Sequence, residues 1–304
     1  MPRIVSLISS ATEIVAALGQ LDNLVGRSHE CDYPEEVKSL PVCTRPRIDI
    51  HADSLEIDRA VRESKRNSVS IYDVFEDVIE RLEPTHILTQ IQCEVCAVSL
   101  RDVEDALARG MKGNPKIISS QPDSLDQIWQ DIRRIADSLD IPARGAALVT
   151  EICEKISRAE RNLPPAPTPN PHPLLAACIE WIEPLMAAGF WMPELICLAA
   201  AKNVAFSTFD ELAAADPDVI VVAPCGFDLP RTESEMYWLT RRPGWNDLRA
   251  VRGGRVYLAD GNRYFNRPGP FALTGTLDIL MEMLHPDVCA PRHRGSAWRD
   301  MMIV

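Results

Sequence analysis

The chain has 304 residues, of which 46% are hydrophobic and 25% are charged, and its formal net charge is −12 at pH 7. This length allows two domains with a core each, and the negative charge argues against a nucleic-acid-binding surface. No run approaches the roughly 18 apolar residues of a membrane span. Because polar residues interrupt the N-terminal apolar segment, we interpret it as strand, turn and helix, and not as an export signal. We therefore expect a cytoplasmic protein, or a periplasmic one if an export signal has been removed.

The first part of the chain alternates short apolar runs with segments of helical periodicity. A serine-rich turn at 9–13 separates the first strand from the first helix, which ends at Gly19. This pattern is typical of a polar helix start and a glycine stop. We predict strands at 3–7, 24–26, 87–90 and 116–119, helices at 14–18 and 103–109, and a largely helical segment at 58–82.

The longest predicted helix covers residues 142–163. Its apolar residues recur at steps of three and four, which places them on one face, and Pro142 suits the first helical turn. A helix at about 125–139 leads into it, and Pro164 and Pro165 end it. Residues 164–173 contain six prolines, which indicates a stiff linker.

The remaining segment repeats the alternation, with strands at 174–179, 219–222 and 256–258 and helices at 189–200, 209–214 and 273–284. The segment 237–248 is predicted to be helical with a break at Pro243-Gly244. The segment after Pro286 has no clear pattern. Alternating strands and helices predict the α/β class, with two Rossmann-like lobes of mostly parallel strands joined by one long rigid helix. We place an N-terminal lobe at 1–122, a helical pair at 123–163 and a C-terminal lobe at 164–304. Ligands of such sheets bind beyond the carboxyl ends of the strands.

Four segments carry a family resemblance, namely SLISSATEIVAALG, VGRSHECDYP, EWIEPLMAAGFWMPEL and GNRYFNRPGP. Together with the long helix, they resemble the cobalamin-binding members of the periplasmic-binding-protein-like families, which have the helical-backbone metal receptor fold. The resemblance implies non-catalytic binding of a cobalamin-like corrinoid, or of a related tetrapyrrole or metal chelate, in a cleft between the lobes. It also implies an ABC permease as a possible partner.

Cysteines in HEC and QCEVC distinguish this chain from an ordinary cobalamin binder. Two cysteines separated by two residues can bind one soft metal. A candidate Cys3His set for zinc or an iron–sulfur cluster consists of Cys93 and Cys96 together with His29 and Cys31. The alternatives are that the thiols only line the cleft, or that Cys93 and Cys96 form a reversible disulfide. Direct ligation of cobalt by His29 is compatible with the cleft interpretation.

Other candidate ligand-binding residues lie where predicted strands end. Aromatic rings of the second lobe would cover a flat ligand, whereas we assign Phe190 and Phe265 to the core. Amide and guanidinium groups would bond the polar arms of the ligand, and the turn at 9–13 either holds such an arm or only caps its helix. The candidates are Ser10, Glu13, His29, Glu30, Asp32, Gln92, Glu180, Trp181, Trp191, Phe227, Asn262, Tyr264 and Arg267.

No nucleophile–base pair, phosphate loop or dinucleotide fingerprint stands out, so we do not expect an enzyme. The leading prediction is a cytoplasmic corrinoid-binding protein for storage, salvage or sensing. One alternative is a metal- or iron–sulfur-binding redox protein that uses Cys31, Cys93 and Cys96. The other is the substrate-binding component of an ABC importer.

Overall fold

The computed structural model describes residues 1–67, 69–90, 114–163 and 173–301. Its residues form two compact units. The first unit contains Met1–Ala52, Glu56–Glu151 and Pro268–Pro270, and the second contains Asp53–Leu55, Ile152–Arg267 and Phe271–Val304. The sheets of both units are mostly parallel, which confirms the predicted α/β class. The predicted lobe limits at 122 and 163 stay a proposal, and the linker at 164–172 lies outside the described residues.

A parallel sheet forms the centre of the first unit. Its described strands follow the order β2-β1-β5-β6, and β3 and β4 form a separate antiparallel pair. Isoleucine, leucine and valine side chains with no exposed surface fill β1 and β5, as expected for strands covered on both faces. The strands are β1 Ile4–Ser6, β2 Leu24–Arg27, β3 Thr44–Pro46, β4 Tyr72–Val74, β5 His86–Gln90 and β6 Lys116–Ser120.

The segment 58–82 is largely helical, as predicted, but it also contains a strand that was not predicted. Helices Ser54–Arg66 and Glu76–Leu82 are separated by β4, which pairs with β3. The segment around β4 contains Val69, Ile71 and Val74, whose β-branched side chains favour extended backbone. The first helix is Ser9–Ala17, and the predicted helix at 103–109 lies outside the described residues.

The long helix extends over Pro142–Arg161, two residues less than predicted. Helix Leu125–Ser138 precedes it, and its N-terminus is capped by Ser124, whose hydroxyl accepts the N–H of Gln127 at 3.3 Å. The two helices pack closely, since a Cβ atom at Gly145 would lie 2.5 Å from that of Ala136. The boundary between the two units falls within the long helix, after Glu151.

The second unit also contains a mainly parallel sheet, in which the described strands follow the order β12-β11-β10-β7-β8 and β9 pairs with β7. The strands β8 and β12 are antiparallel to their neighbours. Strand β12 lies in the segment for which the sequence showed no pattern. The strands are β7 Leu175–Trp181, β8 Met186–Ala187, β9 Lys202–Asn203, β10 Val219–Val222, β11 Val256–Ala259 and β12 Trp298–Asp300.

The second unit contains more helices than predicted, and most of them are short. The break predicted at Pro243-Gly244 within the segment 237–248 is confirmed, because helix Tyr237–Thr240 ends before it and Gly244 has a left-handed φ of +85°. The segment at 229–235 was not predicted to be helical. The helices are Met192–Leu198, Phe209–Ala215, Leu229–Glu235, Tyr237–Thr240, Arg249–Arg252 and Pro270–Leu284, with a π-helix at Gly261–Phe265. Within the described ranges, no helix is both long and apolar enough to cross a membrane.

Candidate functional site

The helix that follows β1 buries the polar side chains predicted to meet a ligand. Ser10 is 3% exposed and Glu13 is 2% exposed. The carboxylate of Glu13 lies against Gly269 of the same unit, where a Cβ atom would come within 2.2 Å of Oε2. This packing favours a structural role for Glu13, and a ligand contact from either residue stays a prediction.

His29 lies just beyond the carboxyl end of β2. Its backbone N–H donates to the Thr44 hydroxyl oxygen at 3.1 Å, and its Nδ1 lies 2.8 Å from the same oxygen. The ring centroid of Tyr72 is 5.4 Å away. Burial, together with the guanidinium of Arg27, lowers the pKa of His29 to about 4. The imidazole is therefore neutral at neutral pH.

Cys31 lies in a buried cluster of hydroxyl groups and has no exposed surface. Its Sγ accepts the Thr12 hydroxyl at 3.0 Å and is 3.2 Å from the Ser28 hydroxyl oxygen. Among the described residues, no three histidine, cysteine or acidic side chains are grouped to bind a metal ion. Cys93, Cys96 and Gln92 lie outside the described residues, so the Cys3His site and the disulfide stay predictions.

Glu30 and Asp32 flank Cys31 and are half-buried. The Glu30 N–H donates to the Ser28 hydroxyl at 3.2 Å, and its carboxylate Oε1 lies 3.8 Å from His29 Nε2. The loop after β2 thus places an acid beside the predicted metal-ligating histidine.

In the second unit, Trp181 at the end of β7 packs against Phe227, with ring centroids 5.2 Å apart. The indole N–H of Trp181 donates to the carbonyl oxygens of Ser54 at 3.2 Å and Glu183 at 3.0 Å. The guanidinium of Arg231 lies 4.9 Å from the Phe227 ring centroid. Phe227 is only 4% exposed, so its ring packs inside the second unit, between Trp181 and Arg231.

Arg231 also pairs with the buried carboxylate of Glu235 at 2.7 Å. The backbone N–H and the hydroxyl of Ser54 donate to the same carboxylate at 3.3 and 3.0 Å. Ser54 therefore contacts both Glu235 and Trp181, and these bonds hold the segment Asp53–Leu55 within the second unit. No local sequence pattern predicts this network, because its two partners are 181 and 127 residues away from Ser54 along the chain.

The core assignment of Phe190 is wrong, and a ligand contact from its neighbour Trp191 stays a prediction. Phe190, which we assigned to the core, is 46% exposed, whereas Trp191, predicted to face the ligand, is 8% exposed. The rings stack with centroids 6.0 Å apart and an interplanar angle of 25°. Phe190 adopts a φ of +54°, a conformation that bulky residues rarely adopt. The other core assignment, Phe265, is confirmed at 2% exposure.

Glu180 supports the loop that carries Phe190. Its carboxylate Oε2 accepts the Gly189 N–H at 3.2 Å. Burial raises the pKa of Glu180 above its ordinary value, and the Gly189 hydrogen bond opposes this rise. The carboxyl therefore holds the loop at an electrostatic cost when it is ionised.

We expect Glu180→Gln to stabilise the protein increasingly as the pH rises. With a raised folded-state pKa, the protonated carboxyl contributes stability at low pH, and this contribution is lost as the pH rises from the unfolded pKa through the folded one. Glutamine keeps an acceptor for the Gly189 N–H but does not ionise. Urea unfolding of both proteins between pH 4 and 7 measures the effect. A difference in unfolding free energy that is constant with pH would contradict the prediction.

The candidates near the end of β11 contact one another. Arg267, 5% exposed, donates from Nη2 to the Asn262 side-chain oxygen at 2.9 Å. The half-buried ring of Tyr264 lies 5.5 Å from that of Phe271. It also packs so closely on Gly275 that a Cβ atom there would lie 2.7 Å from the ring. The structure brings these residues together, and their contact with a ligand stays a prediction.

The fold is that of a substrate-binding protein built from two α/β units. Residues 4–262 match the family described as Periplasmic binding protein, and the chain belongs to this family. Its members serve ABC transporters as substrate-binding proteins and are in general not catalysts.

Three individual proteins that are similar to the chain share between 19% and 24% of its residues. The chain is 24% identical over 298 residues to YvrC, an uncharacterized ABC transporter substrate-binding lipoprotein of Bacillus subtilis (strain 168), and the match covers 94% of this chain and 80% of YvrC. It is similar to a periplasmic heme-binding protein from Pseudomonas aeruginosa, with a TM-score of 0.70, 20% identity and coverage of 100% and 99% of the two chains. For the periplasmic vitamin B12-binding protein BtuF of Vibrio cholerae, the TM-score is 0.63, with 19% identity and coverage of 93% and 96%.

Proposed function

We propose that the protein is the substrate-binding component of an ABC importer and that its substrate is a corrinoid or a related tetrapyrrole. Family membership supports the importer role. The names of two similar structures, a heme-binding and a vitamin B12-binding protein, support the ligand class. The permease partner, and one ligand held by both lobes, stay predictions.

The observation that carries the ligand class is the exposed ring of Phe190. It is one of the few large apolar side chains that the described residues leave exposed, and it stacks on a buried tryptophan. A ring supported in this way offers a flat apolar face to a planar ligand at little further entropic cost. Met186, at the start of β8, adds a second exposed apolar side chain, at 39%.

The two other functions predicted from the sequence receive less support. The relatives are described as periplasmic proteins or as a lipoprotein, which favours import over cytoplasmic storage. A redox protein would need Cys31 together with Cys93 and Cys96. The Cys31 thiol is fully buried among hydroxyl groups, which does not favour a solvent-accessible cluster ligand.

Titration of the purified protein with hemin, cyanocobalamin and a ferric hydroxamate siderophore tests the proposal. We expect saturable one-to-one binding of hemin or cyanocobalamin, seen as a shift of the ligand's visible absorbance and as quenching of tryptophan fluorescence. Tight binding of the siderophore alone, or binding of none of the three, would overturn the proposed substrate class.

Replacing Phe190 by alanine is expected to weaken binding of the tetrapyrrole by ~1–3 kcal/mol, the range for loss of a large buried aromatic contact. Val288→Ala is the matched control, because Val288 is also an exposed apolar residue of the second unit, at 51%. Isothermal titration of both variants measures the effect. Equal dissociation constants for the two variants would exclude Phe190 from the ligand contact.

A further inference from the structure

The surroundings of His29 distinguish its two ring nitrogens. Nδ1 lies 2.8 Å from the Thr44 hydroxyl oxygen, which also accepts the His29 backbone N–H. Thr44 is fully buried and belongs to β3, so the sheet fixes the position of its hydroxyl. For Nε2, the nearest carboxylate oxygen in the part of the chain that the structure describes belongs to Glu30, and at 3.8 Å it is beyond hydrogen-bond distance.

The ring plane of His29 is held as well. Tyr72 of β4 packs on it at 5.4 Å between centroids, with an interplanar angle of 43°. Because β3 and β4 pair with each other, one antiparallel strand pair supplies both the hydroxyl at Nδ1 and the aromatic contact. A histidine that binds a metal through one nitrogen is usually oriented by a hydrogen bond at the other.

We propose that His29 binds the metal of the tetrapyrrole through Nε2, as an axial ligand. This inference rests on the proposed function and adds to it that the substrate carries a metal with an open axial position. Cys31, only two residues away, is a poorer candidate, because its thiol already contacts Thr12 and Ser28 and has no exposed surface. The β3–β4 pair acts as the positioning element, and Thr44 is its positioning residue.

Two ligand pairs separate metal binding from stacking. Hemin is compared with metal-free protoporphyrin IX, and aquacobinamide with dicyanocobinamide, whose axial positions are both blocked. We expect the wild-type protein to bind the open-metal member of at least one pair about tenfold more tightly or better. His29→Ala should abolish this difference and leave the affinity for the other member unchanged. Added imidazole should restore the absorbance spectrum of the bound open-metal ligand.

Variants at neighbouring positions provide the controls. Thr44→Val should shift the absorbance spectrum of the bound ligand and lower its affinity severalfold, whereas Thr44→Ser should retain both. His51→Ala, which changes an exposed histidine of the same unit, should behave as the wild type. If His29→Ala does not fold, His29→Gln replaces it.

The outcomes distinguish the two proposals. If His29→Ala keeps the affinity and spectrum of the wild type with the open-metal ligand, axial ligation is overturned and the proposed function stands. The same conclusion follows if the wild type binds both members of each pair equally. If the wild type binds none of the four ligands, the proposed function fails, and the inference fails with it.

Discussion

Replacing Glu282 by leucine is expected to lower the free energy of unfolding by ~3–5 kcal/mol, as for a buried charge network that loses one partner. Glu282 is 4% exposed. Its carboxylate accepts the backbone N–H groups of Arg292 and His293 at 3.0 Å, His293 Nδ1 at 2.7 Å and Trp298 Nε1 at 2.7 Å. Leucine accepts none of them, and Trp298 is too deeply buried, at 4% exposure, for water to replace the lost bond.

Urea unfolding measures this loss, and two variants calibrate it. Glu282→Gln keeps one acceptor oxygen and should lose less stability than Glu282→Leu. Glu233→Leu removes a half-exposed carboxylate that pairs with Arg299, and it should cost under about 1 kcal/mol. Because Trp298 of β12 belongs to this network, hydrogen exchange of the β12 backbone amides should accelerate before that of the other strands of the sheet. A loss below ~1 kcal/mol in Glu282→Leu would contradict this account.

Buried parallel strands were the most predictable part of the fold. Runs such as Val219–Val222 are apolar throughout and lie between turn residues, so their position follows from the sequence. The strands β4 and β12 were missed because each has only three residues, one or more of them charged, and so forms no apolar run.

The candidate site was less predictable than the fold. Phe190 and Trp191 are adjacent aromatic residues, and their composition alone does not show which one is exposed. That depends on the positive φ at Phe190. Asn262 and Arg267 were each predicted to bond a ligand, and the sequence did not predict that they also bond each other across the π-helix. Such a rare helix has no reliable sequence signal.

Gly261, the first residue of that π-helix, lies against the backbone of the segment that follows β10. A Cβ atom there would lie 2.1 Å from the Pro224 carbonyl oxygen and 2.7 Å from the Ala223 carbonyl carbon. Both are backbone atoms, which cannot rotate away as a side chain would. We therefore expect Gly261→Ala to destabilise the protein by about 3 kcal/mol, the upper part of the range for overpacking.

The backbone at Ala223 is held in place near this contact, since its carbonyl oxygen accepts the Asn266 side-chain N–H at 3.0 Å. Relief of the clash must therefore displace either this bond or the π-helix that carries Asn262 and Tyr264. Gly189→Ala is the matched control, because no described residue other than its chain neighbours has an atom within 4 Å of its Cβ position. It should change stability by under about 0.5 kcal/mol. Urea unfolding compares the two variants. Equal unfolding free energies would show that the segment after β10 moves freely enough to admit a methyl group.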